Sequence, residues 1–162
     1  MDFSRDDGLV RADRPVMPGY GLLDASDGSG LLPWDWAQAR LDGAPTWWVS
    51  TVGRRGPHTA PVWGVWSAEQ GWFSSGPDSR KARNLAAMPR CTIAVEHEGG
   101  HVIVEGSVST EALPALLVER YRVKYAWDGP VDETFYVVKP TVVFGMINTP
   151  GLFTGSATRW RR

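Results

Sequence analysis

Pro45 to Ser75 reads PTWWVSTVGRRGPHTAPVWGVWSAEQGWFSS, and its punctuation decides the fold. Pro45 to Val52 is aromatic and β-branched, the composition of a half-buried strand. Gly53-Arg54-Arg55-Gly56 is a turn, and His58 to Ser67 returns as a second strand. Glu69-Gln70-Gly71 turns again, and Gly71 to Ser75 makes a third strand. This turn spacing predicts a β-meander. Pro61 and Gly64 fall inside the second strand, which predicts a bulge or a sheet edge where backbone approaches a ligand.

Upstream, residues 1–32 lack periodicity and are rich in Gly, Asp and Ser. They read as an N-terminal arm before a single domain over residues 33–162. Pro33 opens a helix over Trp34 to Leu41, with Gly43 past its end. Downstream, Asp78 or Ser79 caps a short helix from Arg80 to Met88, which Pro89 ends. Cys91 to His97 and His101 to Thr110 form a hairpin across Glu98-Gly99-Gly100. Ser109 or Thr110 caps a helix from Glu111 to about Tyr125, with Leu113, Leu116, Leu117 and Tyr121 on one face and Pro114 in its first turn. Thr134 to Val138, Pro140 to Ile147 and Gly151 to Trp160 read as strands. About seven or eight strands joined mostly by hairpins, with three short helices, predict a mainly β fold, an antiparallel barrel with helical decoration.

Composition narrows the function. The 162 residues are 43% hydrophobic and 22% charged, ordinary values for a globular domain. A net charge of -1 gives no basic field, so nucleic acid is not an expected partner. One cysteine excludes an internal disulfide framework. No apolar run is long enough to span a bilayer, and the acidic start MDFSRDDG lacks an apolar signal region. A soluble, cytoplasmic protein without a membrane partner is expected. The nine Trp call for a barrel core and a subunit interface to hold them.

His97-Glu98-Gly99-Gly100-His101 matches a zinc-protease string, but its central Gly-Gly and period-two flanks make it a hairpin turn, with the two His facing each other across its mouth. Cys91 reads as a buried structural thiol. No Walker loop, G-x-S-x-G or G-x-G-x-x-G occurs. The informative segment is Ser74 to Asn84, SSGPDSRKARN. Hydroxyls end a strand, a Gly-Pro turn follows, and a helix opens with Ser79, Arg80 and Lys81; Arg83 and Arg90 lie beyond. Helix-start N–H groups attract an anion, cationic side chains add charge-assisted hydrogen bonds, and Ser74, Ser75 and Ser79 supply neutral donors. This chemistry suits a phosphate monoester; the alternative is a solvated helix with a basic face.

The run FSSGPDSRKARNLAAMPRCTIAVEHEGGHVIVEGSV, Phe73 to Val108, resembles the pyridoxamine 5′-phosphate oxidase-like split-barrel flavoproteins. A strand ending in hydroxyl residues, an S-R-K-A helix, a proline and a strand pair closing in V-x-G occur in the family's order, across roughly residues 33 to 110. The resemblance implies a homodimeric antiparallel split β-barrel with a flavin between the subunits. The isoalloxazine would lie along Ala60, Pro61, Val62 and Trp63, with Trp63 offering a planar face. Ser74 and Ser75 would sit near the ribityl chain or phosphate, and Ser79, Arg80 and Lys81 would hold the phosphate with Asn84 in support. Vitamin B6 oxidases carry an Arg where this chain has Thr59-Ala60 and an Arg-x-His signature that this chain lacks, so pyridoxamine phosphate is not the expected substrate. Lys81 to Leu85 looks like the actinobacterial branch that uses the deazaflavin F420, whose acidic tail Arg54, Arg55 and the terminal arginines would neutralise. The implied function is an FMN- or F420-dependent oxidoreductase acting on a small organic molecule that stacks in a Trp- and Tyr-lined pocket. The alternative is a non-catalytic flavin- or haem-binding module, a carrier or sensor.

Overall fold

The computed structural model describes residues 11–131 and 134–161. In chain order it comprises β1 (Arg11–Asp13), α1 (Trp34–Gly43), β2 (Trp47–Gly53), β3 (Gly56–Val62), β4 (Gly64–Ser67), β5 (Gln70–Phe73) and α2 (Arg80–Ala87). β6 (Arg90–His97), β7 (Gly100–Ala112), α3 (Ala115–Tyr125), β8 (Thr134–Ile147), α4 (Phe153–Ser156) and β9 (Thr158–Arg161) complete it. Every strand pairing is antiparallel. β2 lies between β3 and β6, β6 pairs with β7, and β7 with β8. One end of β8 (136–138) pairs with β5, which pairs with β4. β3 and β4 are one extended run broken at Trp63, so the circuit of strands closes there. The other end of β8 (142–145) pairs with β9, which carries β1 on its far side. This divergence along β8 splits the barrel.

The meander forms where the period-two pattern places it. Val49 and Trp47 of β2 point inward and are fully buried, while Trp48 and Val52 are half exposed. Trp47 is the hub: its indole N–H donates to the Leu41 carbonyl at 3.0 Å, and its ring meets Trp66 edge-on at 6.4 Å. Gly64 and Gly71 leave room for it; a Cβ on Gly64 would stand 2.4 Å from Trp47 Cε3. Trp66, Trp72 and Trp160 are also buried, and Trp160 packs edge-on against Trp34 at 5.5 Å. The main core thus holds Trp47, Trp66 and Trp160, and Trp72 belongs to a second cluster with Leu117, Tyr121 and Phe135.

Four elements differ from the sequence reading. Glu111 and Ala112 stay in strand, paired with Phe135 and Thr134, so the helix expected from Glu111 begins at Ala115 behind Pro114. On that helix Leu117 and Tyr121 are buried, but Leu116 points to solvent. β8 is continuous through Pro140, because that residue sits at a β-bulge opposite Glu105 and Gly106, where a missing N–H is tolerated. The expected strand from Gly151 begins with α4 and is strand only from Thr158. In the N-terminal stretch, Arg11–Asp13 is a strand against β9, and Arg14 is buried, its guanidinium donating to the carbonyls of Asp27, Ser29, Gly155 and Ala157. Residues 1–10 of the expected arm lie outside the described residues.

The HEGGH segment is a hairpin turn, with Glu98 and Gly99 at φ 47° and 69°. His97 pairs with Gly100 and His101 with Glu96, so alternation sets the two imidazoles on opposite faces instead of across one mouth. No grouping of His, Cys, Asp or Glu among the described residues is arranged to hold a metal. Cys91 is buried, and burial pushes its thiol up to about 12. No helix among the described residues is long and apolar enough to cross a membrane.

Candidate functional site

Past the end of β5 the chain turns at Gly76, whose carbonyl accepts the Ser79 N–H at 3.0 Å. Ser79 has the extended backbone of an N-cap, and its hydroxyl accepts the Ala82 N–H at 3.0 Å. Helix α2 therefore begins as the serine predicts, and its first turn directs Lys81 back over the strand end. The Lys81 ammonium donates to Ser75 Oγ at 2.8 Å, and Ser75 Oγ lies 3.0 Å from Ser79 Oγ. If Ser75 passes its own proton to Ser79, the Ser79 proton stays free for a ligand.

Lys81 is only 7% exposed, and Ser75 is its one hydrogen-bond partner among the described residues. No carboxylate among the described residues pairs with it. Burial pulls its pKa below the ordinary lysine value, with no opposing charge to restore it. A buried cation partnered by one hydroxyl is a costly arrangement that a bound anion would relieve.

The other expected phosphate ligands do different work. Arg80 reaches the Gly56 carbonyl at 3.4 Å, tying α2 to the β2–β3 turn. Asn84 is buried, donates to Thr51 Oγ1 at 3.0 Å and faces Gly53 so closely that a Cβ there would lie 2.0 Å from its Oδ1. It is a brace between helix and strand. Arg83 is exposed and folds back on the Asp78 carbonyl.

Among the described residues β3 ends one side of the sheet and pairs with β2 alone, which leaves the backbone of Ala60 and Pro61 on its edge. Val62 instead belongs to the core at 8% exposure. Trp63 occupies the break between β3 and β4, and although it is 42% exposed, one face of its ring is covered. Tyr125 stacks on it at 4.7 Å and 7°, while Trp127 meets it edge-on at 5.8 Å. The Tyr125 hydroxyl accepts the Gly64 N–H at 2.7 Å and donates to the Gly64 carbonyl at 2.8 Å. Lys124 Nζ donates to that carbonyl at 2.9 Å. The end of α3 thus clamps both backbone groups freed by the break. Burial lowers Lys124 to about 8 and raises Tyr125 to about 12.

Gly64 pairs with Phe73, so Trp63 and Ser74 stand side by side past the end of that ladder. They share a cavity of ≈ 210 Å³, walled also by Tyr121, Trp127 and Phe135. The structure therefore brings Ser75, Ser79 and Lys81 into one corner, and Ser74 and Trp63 into an adjoining one. The terminal arginines are not free: Arg159 pairs with Asp13 at 2.8 and 3.1 Å, and Arg161 pairs with the same carboxylate. Together they hold Asp13 below the usual carboxylate range. Arg162 lies outside the described residues. Sequence reading missed Thr51, Gly53, Lys124, Tyr125 and Trp127; only the aromatic density after Tyr121 hinted at the last two.

The model of the family described as pyridoxamine 5′-phosphate oxidase matches residues 34–146. The chain belongs to that family. No curated protein is matched. Among solved structures, one named F420 reductase is 23% identical, with 69% of this chain and 98% of that one covered at a TM-score of 0.56. A conserved hypothetical protein from Mycobacterium tuberculosis is 17% identical, with coverages of 75% and 89% and a TM-score of 0.62. A pyridoxamine 5′-phosphate oxidase-related, FMN-binding protein from Nostoc punctiforme is 15% identical, with coverages of 74% and 86% and a TM-score of 0.51. At these identities the likeness establishes the fold, the family's split barrel.

Proposed function

We propose that this family member binds FMN or F420 and transfers hydride or electrons to a small organic substrate. The carrying observation is Lys81, a buried ammonium beside two hydroxyls with no anionic partner among the described residues. Both cofactors bear a phosphate on a ribityl chain, and the names of two neighbours, an F420 reductase and an FMN-binding protein, agree with that pair. Lys81, Ser75 and Ser79 hold the phosphate. Arg80 and Asn84 act one step back, fixing α2 on the β2–β3 turn and on Thr51. The free edge of β3 at Ala60 and Pro61 offers backbone groups to the ring's polar rim. Val62 anchors that edge in the core, Trp63 borders the ring with its indole held by Tyr125, and Ser74 adjoins the ribityl chain. From Gly56 to Pro61 the strand spans roughly 17 Å, enough for one ligand to reach from α2 to the break.

When bound, the ring supplies the redox chemistry, and the protein supplies orientation and a dry, shaped surround. Arg54 and Arg55, exposed at the turn beside Arg80, are the cations placed for an acidic tail of F420. A homodimer completes the site. Trp48 and Val52 are 50% and 56% exposed on the outer face of β2, and Val52 and Met88, the latter 50% exposed at the end of α2, line a groove of ≈ 290 Å³. We assign that face to a second copy, in a cytoplasmic enzyme. A haem-binding reading gains nothing, since no histidine lines the groove or the aromatic cavity.

Titration of the pure protein with FMN and with F420, followed by fluorescence, tests the reading. One of them should bind, and Lys81→Ala should weaken it at least tenfold. Turnover of the reduced cofactor with quinones, tetrapyrroles or nitro compounds separates an enzyme from a carrier. Binding of neither cofactor would end the proposal.

A further inference from the structure

A second cavity, of ≈ 280 Å³, lies between α1, β4 and α3, lined by Asp42, Val65, Glu119, Arg120, Val123 and Lys124. Two basic side chains of α3 share it. Arg120 and Lys124 are one helical turn apart, a spacing that sets Cβ atoms about 5–6 Å from each other on one helix face. Burial foremost, opposed by Asp42 and then aided by the Arg120 guanidinium, weakens the hold of Lys124 on its proton and brings its pKa to about 8. A sizeable share of this amine is therefore neutral near neutral pH, unlike that of an ordinary lysine.

Both groups keep bonding capacity in reserve. Asp42 and the Trp66 carbonyl take their hydrogen bonds from the same nitrogen of Arg120, Nη2, at 2.7 and 3.1 Å. A guanidinium carries donors on all three nitrogens, so among the described residues Nε and Nη1 are left for a ligand. Lys124 Nζ donates to the Gly64 carbonyl at 2.9 Å. A neutral amine needs one proton for that bond, and its lone pair then points away from the carbonyl oxygen. A desolvated amine next to a second cation is the arrangement that makes lysine a nucleophile toward carbonyl carbon.

We infer that Arg120 and Lys124 form a site for a small 2-oxo acid, held by Lys124 as a reversible imine. Arg120 Nε and Nη1 take the carboxylate, which sets the neighbouring carbonyl carbon before the amine. The nitrogen bonds to that carbon, the carbon–oxygen bond breaks, and two amine protons leave with the oxygen as water. No oxidant or reductant takes part. A cavity of roughly 150 Å³ admits benzene, so this one has room for a short-chain acid. The inference is independent of the cofactor reading above.

Lys81, Lys124 and Lys139 are the only lysines of the chain, so trapping can be read residue by residue. The full chain is incubated with pyruvate near neutral pH, reduced with cyanoborohydride, digested and mapped by mass spectrometry. Label should fall on Lys124 at least tenfold more than on Lys81, buried behind Ser75, or on Lys139, exposed beside Glu111. Lys124→Arg, which keeps a cation able to donate to the Gly64 carbonyl, should remove that label without changing the circular dichroism spectrum. Arg120→Gln should cut pyruvate labelling at least tenfold and propanal labelling less than threefold, because propanal has no carboxylate to hold. Equal label on the three lysines, or equal loss of the two probes in Arg120→Gln, would overturn the assignment. Should either variant fail to fold, the distribution of label over the wild-type lysines decides alone.

Discussion

An ammonium group with one hydroxyl for company is poorly placed in a protein interior, and Lys81 is held there by the N-cap that starts its helix. Replacing it with Met should raise the stability of the cofactor-free protein by about 1 kcal/mol, because an uncompensated charge leaves the interior. The same change should weaken cofactor binding by roughly 10- to 100-fold, the worth of a hydrogen bond to a charged group. Denaturant unfolding and fluorescence titration check the two halves. Lys124 gives a pH signature. Its pKa is about 8 in the folded chain against 10.5 unfolded. Between those values the unfolded chain holds more protons, so this residue's penalty is full below pH 8 and relieved as pH rises toward 10.5. Because the side chain is partly screened, the relief should be about 2 kcal/mol. Cys91 and Tyr125, both raised to about 12, act the other way above pH 9 to 10. The Lys124 contribution is isolated by Lys124→Met. Its stability relative to wild type should fall by about 2 kcal/mol between pH 7 and 10, and a flat difference would remove the buried-amine description.

At the scale of elements, the break at Trp63 and the contact of α2 with β2 set the geometry of the site. Gly64→Ala drives a methyl group into the Trp47 ring beside the Tyr125 clamp and should cost about 1–3 kcal/mol in denaturant unfolding. Gly53→Ala displaces the Asn84 amide from Thr51, which should cost about 1 kcal/mol and loosen α2 enough to lower cofactor affinity. These close approaches explain what was legible beforehand. Strands with period-two patterns and glycine turns were readable locally, as were the Ser79 cap and the hairpin at Gly99. Contacts between distant segments were not. Nothing near Trp63 reveals that Tyr125 covers its ring, and nothing near Asn84 reveals that Thr51 accepts its amide. The start of α3 was misplaced because Glu111 and Ala112 have helix-compatible types, while the long β7–β8 ladder holds them extended. Pro140 divided β8 in the sequence reading because a bulge that excuses proline is a property of two strands together.

For the whole molecule, the barrel circuit closes on one side at Trp63 and opens on the other at β8, leaving the β3 edge and the outer face of β2 unpartnered among the described residues. Trp48 and Val52 on that face should become buried in a homodimer. Trp48→Asp should give a monomer by analytical ultracentrifugation and should lower cofactor affinity with it, since the groove would lose one wall; an unchanged dimer would place the interface elsewhere. The central claim, that the Ser75–Ser79–Lys81 corner exists to hold a phosphate, is tested most directly by comparing FMN with riboflavin, which differ only in that group. Wild type should bind FMN at least tenfold more tightly than riboflavin, and Lys81→Met should erase the difference by weakening FMN alone. Equal affinities in the wild-type protein, or a preference that survives the substitution, would contradict it.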